Sequence, residues 1–384
     1  MRKKHFLFAS VLALLCGSSA LHAQDFKLTS SGYFKNQGVD IMAFDDIYPE
    51  GHQGGVCIIM NGHRVATNGD IRLEATPGQW QPVPKQLDRK LGDNSITATL
   101  CYPDSSRHLT GFNPMIYPDL HLIYTVNVES KGKNIEVTVD LDRPIPQEFI
   151  GKVGFNLEFF PGSLFGKPWI MDGQSGIFPQ QPNSPLMTTQ PNYLHTGNYH
   201  DGKQSLADMD KLIGKGYSPI VADDIISEPY AKGRKFTSRP DDPYNKVTIE
   251  SLSGDLQLFD GRMNHNNGWF VLRSNIKPGV TKGAVKWIIT PNVVADWMYQ
   301  PVIQTSQIGY HPAQDKEAVI EMDIRDNRKE TAQIIRIDAD GEKVVKNVTP
   351  ANWGKFLRYN YLKVDFTDVK EPGLYKIKYD TSVS

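Results

Sequence analysis

A pair of alternating segments between His121 and Leu141 restricts the fold more than any other feature of this sequence. Apolar residues occupy every second position from Leu122 to Val128, and the alternation returns from Ile135 to Leu141 after a turn at residues 130–133. Strict alternation over this length predicts two β-strands that each bury one face. We therefore expect long antiparallel strands, which are typical of sheets with one packed side.

Shorter strand signals surround this hairpin. The stretch that begins at Gln24 is interpreted as an exposed leader, and an apolar run from Gly55 to Met60 follows it and ends at Asn61-Gly62. An Asn-Gly pair after an apolar run predicts a hairpin turn, because both central positions of that turn need a positive φ. A further strand is expected at residues 154–160.

The regular pattern stops between residues 161 and 246. Prolines interrupt this stretch repeatedly, and it contains one short helical pattern, at residues 204–213. We expect a long irregular insertion that wraps the sandwich as ordered chain, because aromatic residues such as Trp169, Phe178 and Tyr230 offer apolar anchors.

Strands resume after the insertion and define the fold class. Short β-branched or aromatic runs separated by glycine-containing turns occur at residues 247–250, 256–259, 269–274 and 284–290. The prediction is an all-β protein with a large antiparallel β-sandwich over residues 24–300. A small immunoglobulin-like β-sandwich follows over residues 301–384, with strands expected at residues 318–322, 332–337, 343–345, 361–366 and 374–379.

The N-terminus and the charge balance indicate where the protein acts. Residues 1–23 have a basic start, an apolar stretch too short to span a bilayer, and a small-residue cleavage site, as in a signal peptide. We expect export to the periplasm, cell surface or extracellular space, with cleavage after Ala23; lipidation at Cys16 is the alternative. A formal net charge of -1 argues against a nucleic-acid partner, and no transmembrane segment is expected.

Two cysteines remain in the mature chain. Cys57 and Cys101 both lie in apolar strand contexts, so the sequence fits either two buried thiols or a disulfide in an exported protein.

The start of the small sandwich contains a recognisable motif. Residues 306–312 read Ser-Gln-Ile-Gly-Tyr-His-Pro, and a strand-like run, Lys-Glu-Ala-Val-Ile, follows at residues 316–320. Residues 364–367 read Val-Asp-Phe-Thr, and residues 372–377 read Pro-Gly-Leu-Tyr-Lys-Ile. These segments resemble the N-terminal immunoglobulin-like domain of bacterial cellulases in glycoside hydrolase family 9. In that family the module precedes and packs on a helical catalytic domain. The resemblance covers about the last fifth of the chain and implies a non-catalytic part of a secreted endoglucanase-like enzyme that acts on β-glucan, with the family 9 catalytic domain as its partner if the chain is a fragment.

The sequence offers no catalytic residues for this chemistry. Glycoside hydrolysis by the usual route needs two converging carboxyl groups. The acidic doublets at residues 45–46, 223–224 and 241–242 do not converge by themselves, because adjacent strand residues point to opposite faces. His195 and His200 lack the spacing of a zinc site. We therefore assign no catalytic residue, no metal and no cofactor.

Binding of a polysaccharide or oligosaccharide needs no catalytic pair. Tryptophan and tyrosine rings combine an apolar face for sugar stacking with a polar group for hydrogen bonding. Two segments fit this chemistry, residues 167–173 and residues 260–269, and their candidate carbohydrate-binding residues are Trp169, Asp172, His265, Asn267 and Trp269. The alternative function is therefore a free-standing carbohydrate-binding protein that uses the large sandwich.

Overall fold

The structure, a computed structural model, describes residues 25–45, 54–74, 76–77, 84–102, 120–182, 227–263 and 268–384. Four β-sheets dominate these residues, and every pair of neighbouring strands among them is antiparallel. The all-β prediction is confirmed. Three short 3-10 helices, Gln147–Phe149, Pro161–Ser163 and Gly261–Met263, lie between strands. No helix in the described part of the chain has the length and apolarity needed to cross a membrane.

Two nine-stranded sheets form the large sandwich. Strands are numbered in chain order. From one edge of the first sheet to the other they are β1 (Lys27–Leu28), β2 (Phe34–Asn36), β3 (Val39–Ala43), β4 (Val56–Met60), β5 (His63–Leu73), β10 (Val153–Phe159), β17 (Phe270–Asn275), β16 (Leu256–Asp260) and β13 (Ala231–Gly233). Across the second sheet they are β12 (Gln174–Ile177), β11 (Pro168–Met171), β14 (Lys235–Ser238), β15 (Val247–Ser251), β18 (Val285–Pro291), β9 (Asn134–Leu141), β8 (Leu122–Lys131), β7 (Ser95–Tyr102) and β6 (Lys85–Leu91).

Two four-stranded sheets form the small sandwich. The strands of the first are β19 (Val302–Gln304), β20 (Glu317–Asp323), β24 (Tyr359–Asp365) and β23 (Ala351–Phe356). Those of the second are β22 (Gly341–Val348), β21 (Ala332–Asp338), β25 (Leu374–Tyr379) and β26 (Ser382–Val383).

Each sandwich has its own hydrophobic core. Alternate residues of both nine-stranded sheets meet in the first core, where the fully buried Trp287 of β18 packs edge-to-face on Phe155 of β10 with ring centroids 5.0 Å apart. Trp287 Nε1 also donates a hydrogen bond to Ser274 Oγ at 3.0 Å. Ile320 and Ile334 lie in the separate second core. The exact boundary between the two units, placed at residue 300 from the sequence, stays a prediction.

The hairpins expected from the sequence are present. β8 and β9 pair from Tyr124 with Leu141 to Lys131 with Asn134. β4 and β5 are joined at Asn61 and Gly62, whose φ angles of 52° and 83° match the positive values that the turn needs.

Two expectations differ from the structure. The stretch after Gln24 is not an exposed leader, because β1 to β3 join the first sheet and bury Phe26, Phe34 and Ile41 in the core. The insertion at 161–246 is not wholly irregular either, because β11 to β14 extend both sheets. Its anchors Trp169 and Phe178 are buried, and the helix expected at 204–213 lies outside the described residues.

The motif at 306–312 fixes the start of the small sandwich. Gly309 has a φ of 80°, which lets the chain reverse before Tyr310. The Tyr310 hydroxyl accepts a hydrogen bond from the backbone N–H of Ser306 at 3.0 Å and donates to the carbonyl oxygen of Glu317 at 2.8 Å. Its ring contacts Phe366 edge-to-face at 5.1 Å. The motif therefore holds β20 to the strand that ends before Phe366.

Cys57 and Cys101 are thiols and lie in different sheets, on β4 and β7. The Cys57 sulfur is 3.1 Å from Thr67 Oγ1.

Replacing Trp287 with alanine tests the first core. The change removes a fully buried indole, its contact with Phe155 and its hydrogen bond to Ser274, so we expect the large sandwich to lose about 3–5 kcal/mol of unfolding free energy. Urea unfolding followed by far-ultraviolet circular dichroism measures the loss. The control, Trp353→Ala, alters a ring that is 58% exposed and should shift the unfolding free energy by no more than about 0.5 kcal/mol. A loss for Trp287→Ala as small as that of the control would contradict the packing described.

Candidate functional site

The central strands of the first sheet are buried on both faces. Along β10, Phe155 and Leu157 point into the core. Asn156 and Glu158 lie between them on the opposite face, and they are only 0% and 4% exposed. Because successive strand residues alternate between faces, the outer face of this sheet is polar and covered at the same time.

Strand register brings more polar groups to this outer face. Asn156 lies opposite Arg273 of β17 and opposite Asp70 of β5, and residues that lie opposite each other share a face. We call the resulting group the polar cluster, and its members are Asn68, Asp70, Arg72, Glu74, Asn156, Glu158 and Arg273. All seven side chains are buried.

Arg273 is the most connected member of the polar cluster. Its Nη1 donates hydrogen bonds to Glu74 Oε1 and Asn156 Oδ1, both at 3.1 Å. Its Nη2 donates to the backbone oxygens of Glu74 and Lys152, both at 3.0 Å. Asn156 Nδ2 donates to Glu74 Oε1 at 2.6 Å. A guanidinium and a carboxylate that are each 1% exposed therefore neutralise one another inside a hydrogen-bonded network.

The other carboxylates of the polar cluster contact different groups. Asp70 Oδ1 accepts a hydrogen bond of 2.8 Å from the hydroxyl of Tyr124, which belongs to the second sheet. Arg72 Nη1 lies 3.7 Å from Asp70 Oδ2, beyond hydrogen-bond distance. Glu158 Oε2 accepts a hydrogen bond from Asn68 Nδ2 at 2.6 Å.

Burial shifts the titration of two of these carboxyl groups. Desolvation raises the pKa of Glu74 to about 7, although Arg273 and the Asn156 amide act in the opposite direction. Desolvation also raises the pKa of Asp70 to about 6, against the effects of Arg72 and Tyr124. Carboxyl groups that titrate near neutrality, next to fixed cations, are a physical mark of functional sites.

Trp269 lies at the end of the same face. In the pairing of β10 with β17, Phe159 lies opposite Phe270. Phe160 and Trp269 are the next residues beyond this pair, and their rings meet edge-to-face with centroids 4.5 Å apart. Both rings are partly exposed. Arg273 is four residues further along β17, about 13 Å away at the usual rise of a strand. The outer face therefore combines aromatic rings at one end with the polar cluster at its centre.

Trp169 and Asp172, two of the other predicted binding residues, do not join Trp269. Trp169 lies on β11 in the second sheet and is 6% exposed, so its ring is part of the core and presents no free face to a sugar. Asp172 has a φ of 44° in the β11–β12 turn, and its carboxylate accepts hydrogen bonds from the backbone N–H groups of Arg234 and Lys235. His265 and Asn267 lie outside the described residues.

The polar cluster was missed from the sequence, although a signal for it exists. Residues 68, 70, 72 and 74 are polar at every second position, while Ile71 and Leu73 between them are apolar. Such a pattern normally indicates a solvent face. The informative detail is that both signs of charge occur on one strand and again on β10 and β17, which together supply matched pairs for burial.

Comparison with known proteins adds information on the small sandwich. Residues 298–384 match the family described as the cellulase N-terminal ig-like domain. The resemblance of the motif at 306–312 to that family is thereby confirmed for this part of the chain. No curated protein matches the chain in sequence.

Solved structures align with this chain only at low TM-scores. Slr1438 from Synechocystis sp. PCC 6803 aligns with a TM-score of 0.30 and 10% identity, over 76% of this chain and 100% of that one. The heparan sulfate lyase HepC from Pedobacter heparinus aligns with a TM-score of 0.27 and 10% identity, over 76% and 40% of the respective chains. HI1317 aligns with a TM-score of 0.27 and 9% identity, over 68% and 93%.

The titration of Glu74 gives a prediction for stability. Its pKa is raised from the ordinary value of 4.5 to about 7 in the folded protein, so the native state holds a proton that the unfolded state has already released in this range. The contribution of Glu74 to stability is thus complete below about pH 4.5 and is lost as the pH rises through about 7. The slope for one proton is at most about 1.4 kcal/mol per pH unit.

We therefore expect Glu74→Gln to have a flatter dependence of unfolding free energy on pH between about 5 and 7 than the wild type. Chemical denaturation at several pH values provides the measurement. Glu148→Gln, which changes an exposed glutamate in the 3-10 helix Gln147–Phe149, should leave the profile unchanged. Parallel profiles for wild type and Glu74→Gln would contradict the prediction.

Proposed function

We propose that this chain is the non-catalytic N-terminal part of an exported cellulase-like glycoside hydrolase that acts on β-glucan. The observation that supports this function best is the match of residues 298–384 to the cellulase N-terminal ig-like domain. The motif residues that define the resemblance also have a structural task, because Gly309 and Tyr310 build the turn that begins the small sandwich. In this proposal the small sandwich positions a family 9 catalytic domain, and residues 1–23 direct export.

A second candidate function is supported by the outer face of the first sheet. We propose that this face binds saccharide, with Trp269 as the stacking ring and the buried polar cluster as the rigid support that holds the face in place. The partly exposed rings of Trp269 and Phe160 provide apolar area. The network around Arg273 fixes the neighbouring polar groups, so little side-chain freedom is lost when a ligand binds. This function would suit either an accessory part of an enzyme or a free-standing carbohydrate-binding protein.

The non-catalytic assignment predicts that the purified chain releases no reducing sugar from soluble β-glucan. Release by this chain that is abolished by Glu74→Gln or Glu158→Gln would overturn the assignment, because both carboxyl groups belong to the polar cluster. Glu148→Gln is the matched control, since it removes an exposed carboxylate from the same sandwich.

The binding proposal predicts retardation in affinity electrophoresis through gels that contain β-glucan or other polysaccharides. Trp269→Ala should weaken the interaction by roughly 1–3 kcal/mol, the usual contribution of a large ring at a binding contact. Trp353→Ala removes an exposed tryptophan from the small sandwich and should leave retardation unchanged. Equal retardation of Trp269→Ala and wild type would remove Trp269 from the site, and no retardation by any glycan would reject saccharide binding.

A further inference from the structure

A cleft lies where the two sandwiches meet. Its walls come from β1 to β3 of the large sandwich, from residues 295–299, and from the β20 and β24 ends of the small sandwich. Its volume is about 500 Å³, within the usual range of roughly 300–1,000 Å³ for small-molecule sites. Clefts between folded units are a frequent location for such sites. Trp169, Asp172 and Trp269 do not line it, and no member of the polar cluster does.

Hydrogen bonds from both sandwiches hold the walls of this cleft in place. The backbone oxygen of Trp297 accepts from Gln37 Nε2 at 2.6 Å on one side and from Arg325 Nη2 at 2.7 Å on the other. The backbone N–H of Tyr299 donates to Asp323 Oδ2 at 3.0 Å. Gly38 packs so closely on the Trp297 ring that a Cβ there would lie 2.7 Å from a ring carbon. The cleft is therefore preformed, and a ligand would not need to order it.

Three aromatic rings line the cleft. The centroids of Trp297 and Tyr299 are 6.4 Å apart, and those of Tyr299 and Tyr359 are 5.1 Å apart. All three rings are partly exposed. Tyr299 donates its hydroxyl proton to Glu321 Oε1 at 3.0 Å, which fixes the orientation of the ring. Rings of this kind offer apolar faces that suit the C–H faces of sugar rings.

The charges of the cleft are unequal. Four cationic side chains and three carboxylates line the cleft. Two of the carboxylates pair with arginines. Asp323 accepts from Arg325 at 2.8 Å, and Asp40 lies 3.3 Å from Arg358. Lys27 and Lys35 remain, with the exposed Asp25 as the third carboxylate.

Lys27 and Lys35 lie directly opposite each other on β1 and β2. Like charges in this arrangement repel. Lys35 also lies opposite Asp40 on β3, a carboxylate that it shares with Arg358, and among the described residues neither lysine has a carboxylate oxygen within ion-pair distance of its Nζ. A bound anion would remove this repulsion.

We propose that the cleft binds an acidic saccharide. The sugar rings stack on Trp297, Tyr299 and Tyr359, and Lys27 and Lys35 together bind a carboxylate or sulfate group of the ligand. This site goes beyond the β-glucan function proposed above, because β-glucan is neutral and gives the lysine pair no partner. It is also separate from the Trp269 face, so the two sites can be tested independently.

Isothermal titration calorimetry on the full chain tests the proposal with three probes: trigalacturonate, a sulfated glucose trisaccharide and the neutral cellotriose. We expect an acidic probe to bind more tightly than cellotriose, with an affinity that falls as salt is added because the lysines are exposed to screening. If only trigalacturonate binds, the acidic group is a carboxylate; if only the sulfated probe binds, it is a sulfate. Equal affinity for neutral and acidic probes, or binding of none, would overturn the proposal.

The double variant Lys27→Gln/Lys35→Gln should weaken binding of the acidic probe by about tenfold, which corresponds to about 1.4 kcal/mol. Lys378→Gln, an exposed lysine on β25, is the matched control and should not change binding. Trp269→Ala should also leave it unchanged, so failure of the saccharide function at the Trp269 face and failure of this proposal give different results. Wild-type affinity in the double variant would place the anion elsewhere and reject the site.

Discussion

The buried ion pair between Arg273 and Glu74 is the interaction on which the centre of the large sandwich depends. Arg273 belongs to β17, Glu74 follows β5, and Asn156 of β10 bonds to both side chains. Three neighbouring strands are thus joined through side chains as well as through their backbone ladders. Removing one partner of a buried pair leaves an uncompensated charge, at a cost of about 3–5 kcal/mol. The pair therefore restricts the register of these three strands in addition to the apolar core.

This constraint also determines what the outer face can do. With Arg273 fixed, the register of β10 and β17 places Glu158 opposite Val271 and brings the Phe160 and Trp269 rings together at the next positions along. A binding surface gains affinity when its groups are already in position, because less conformational entropy is lost on binding. In the proposed binding function, the internal ion pair holds the face and the partly exposed Trp269 ring contacts the ligand.

The sequence predicted the parts of the fold that depend on local pattern. Alternation located β8 and β9, and Asn61-Gly62 located the β4–β5 turn, because both signals are complete within a few residues. It failed for β1 to β3 and β11 to β14, which have two to five residues each and acquire strand geometry only by pairing with distant partners. β11, for instance, pairs with β14 about 70 residues later through Trp169 and Ser238.

The selection of site residues also depended on local signals. Trp269 was selected because it is an aromatic residue directly before a strand, and its role in binding stays a prediction. Trp169 was chosen as a binding residue although its ring is buried, because that burial depends on packing against residues such as those of β12 and β14. The polar cluster was missed because only cross-strand register shows that its charges meet.

The segment directly before the small sandwich contacts both sandwiches. The match to the cellulase N-terminal ig-like domain begins at residue 298, and Trp297 directly precedes it. The backbone oxygen of Trp297 nevertheless bonds to Gln37 of the large sandwich and to Arg325 of the small one. Arg358 and Asp40 form a second link across the same boundary. The two sandwiches have separate hydrophobic cores, and polar contacts across their boundary hold them together. A module whose proposed task is to position a catalytic domain would, through these contacts, also fix the direction in which the large sandwich presents the face that is proposed to bind saccharide.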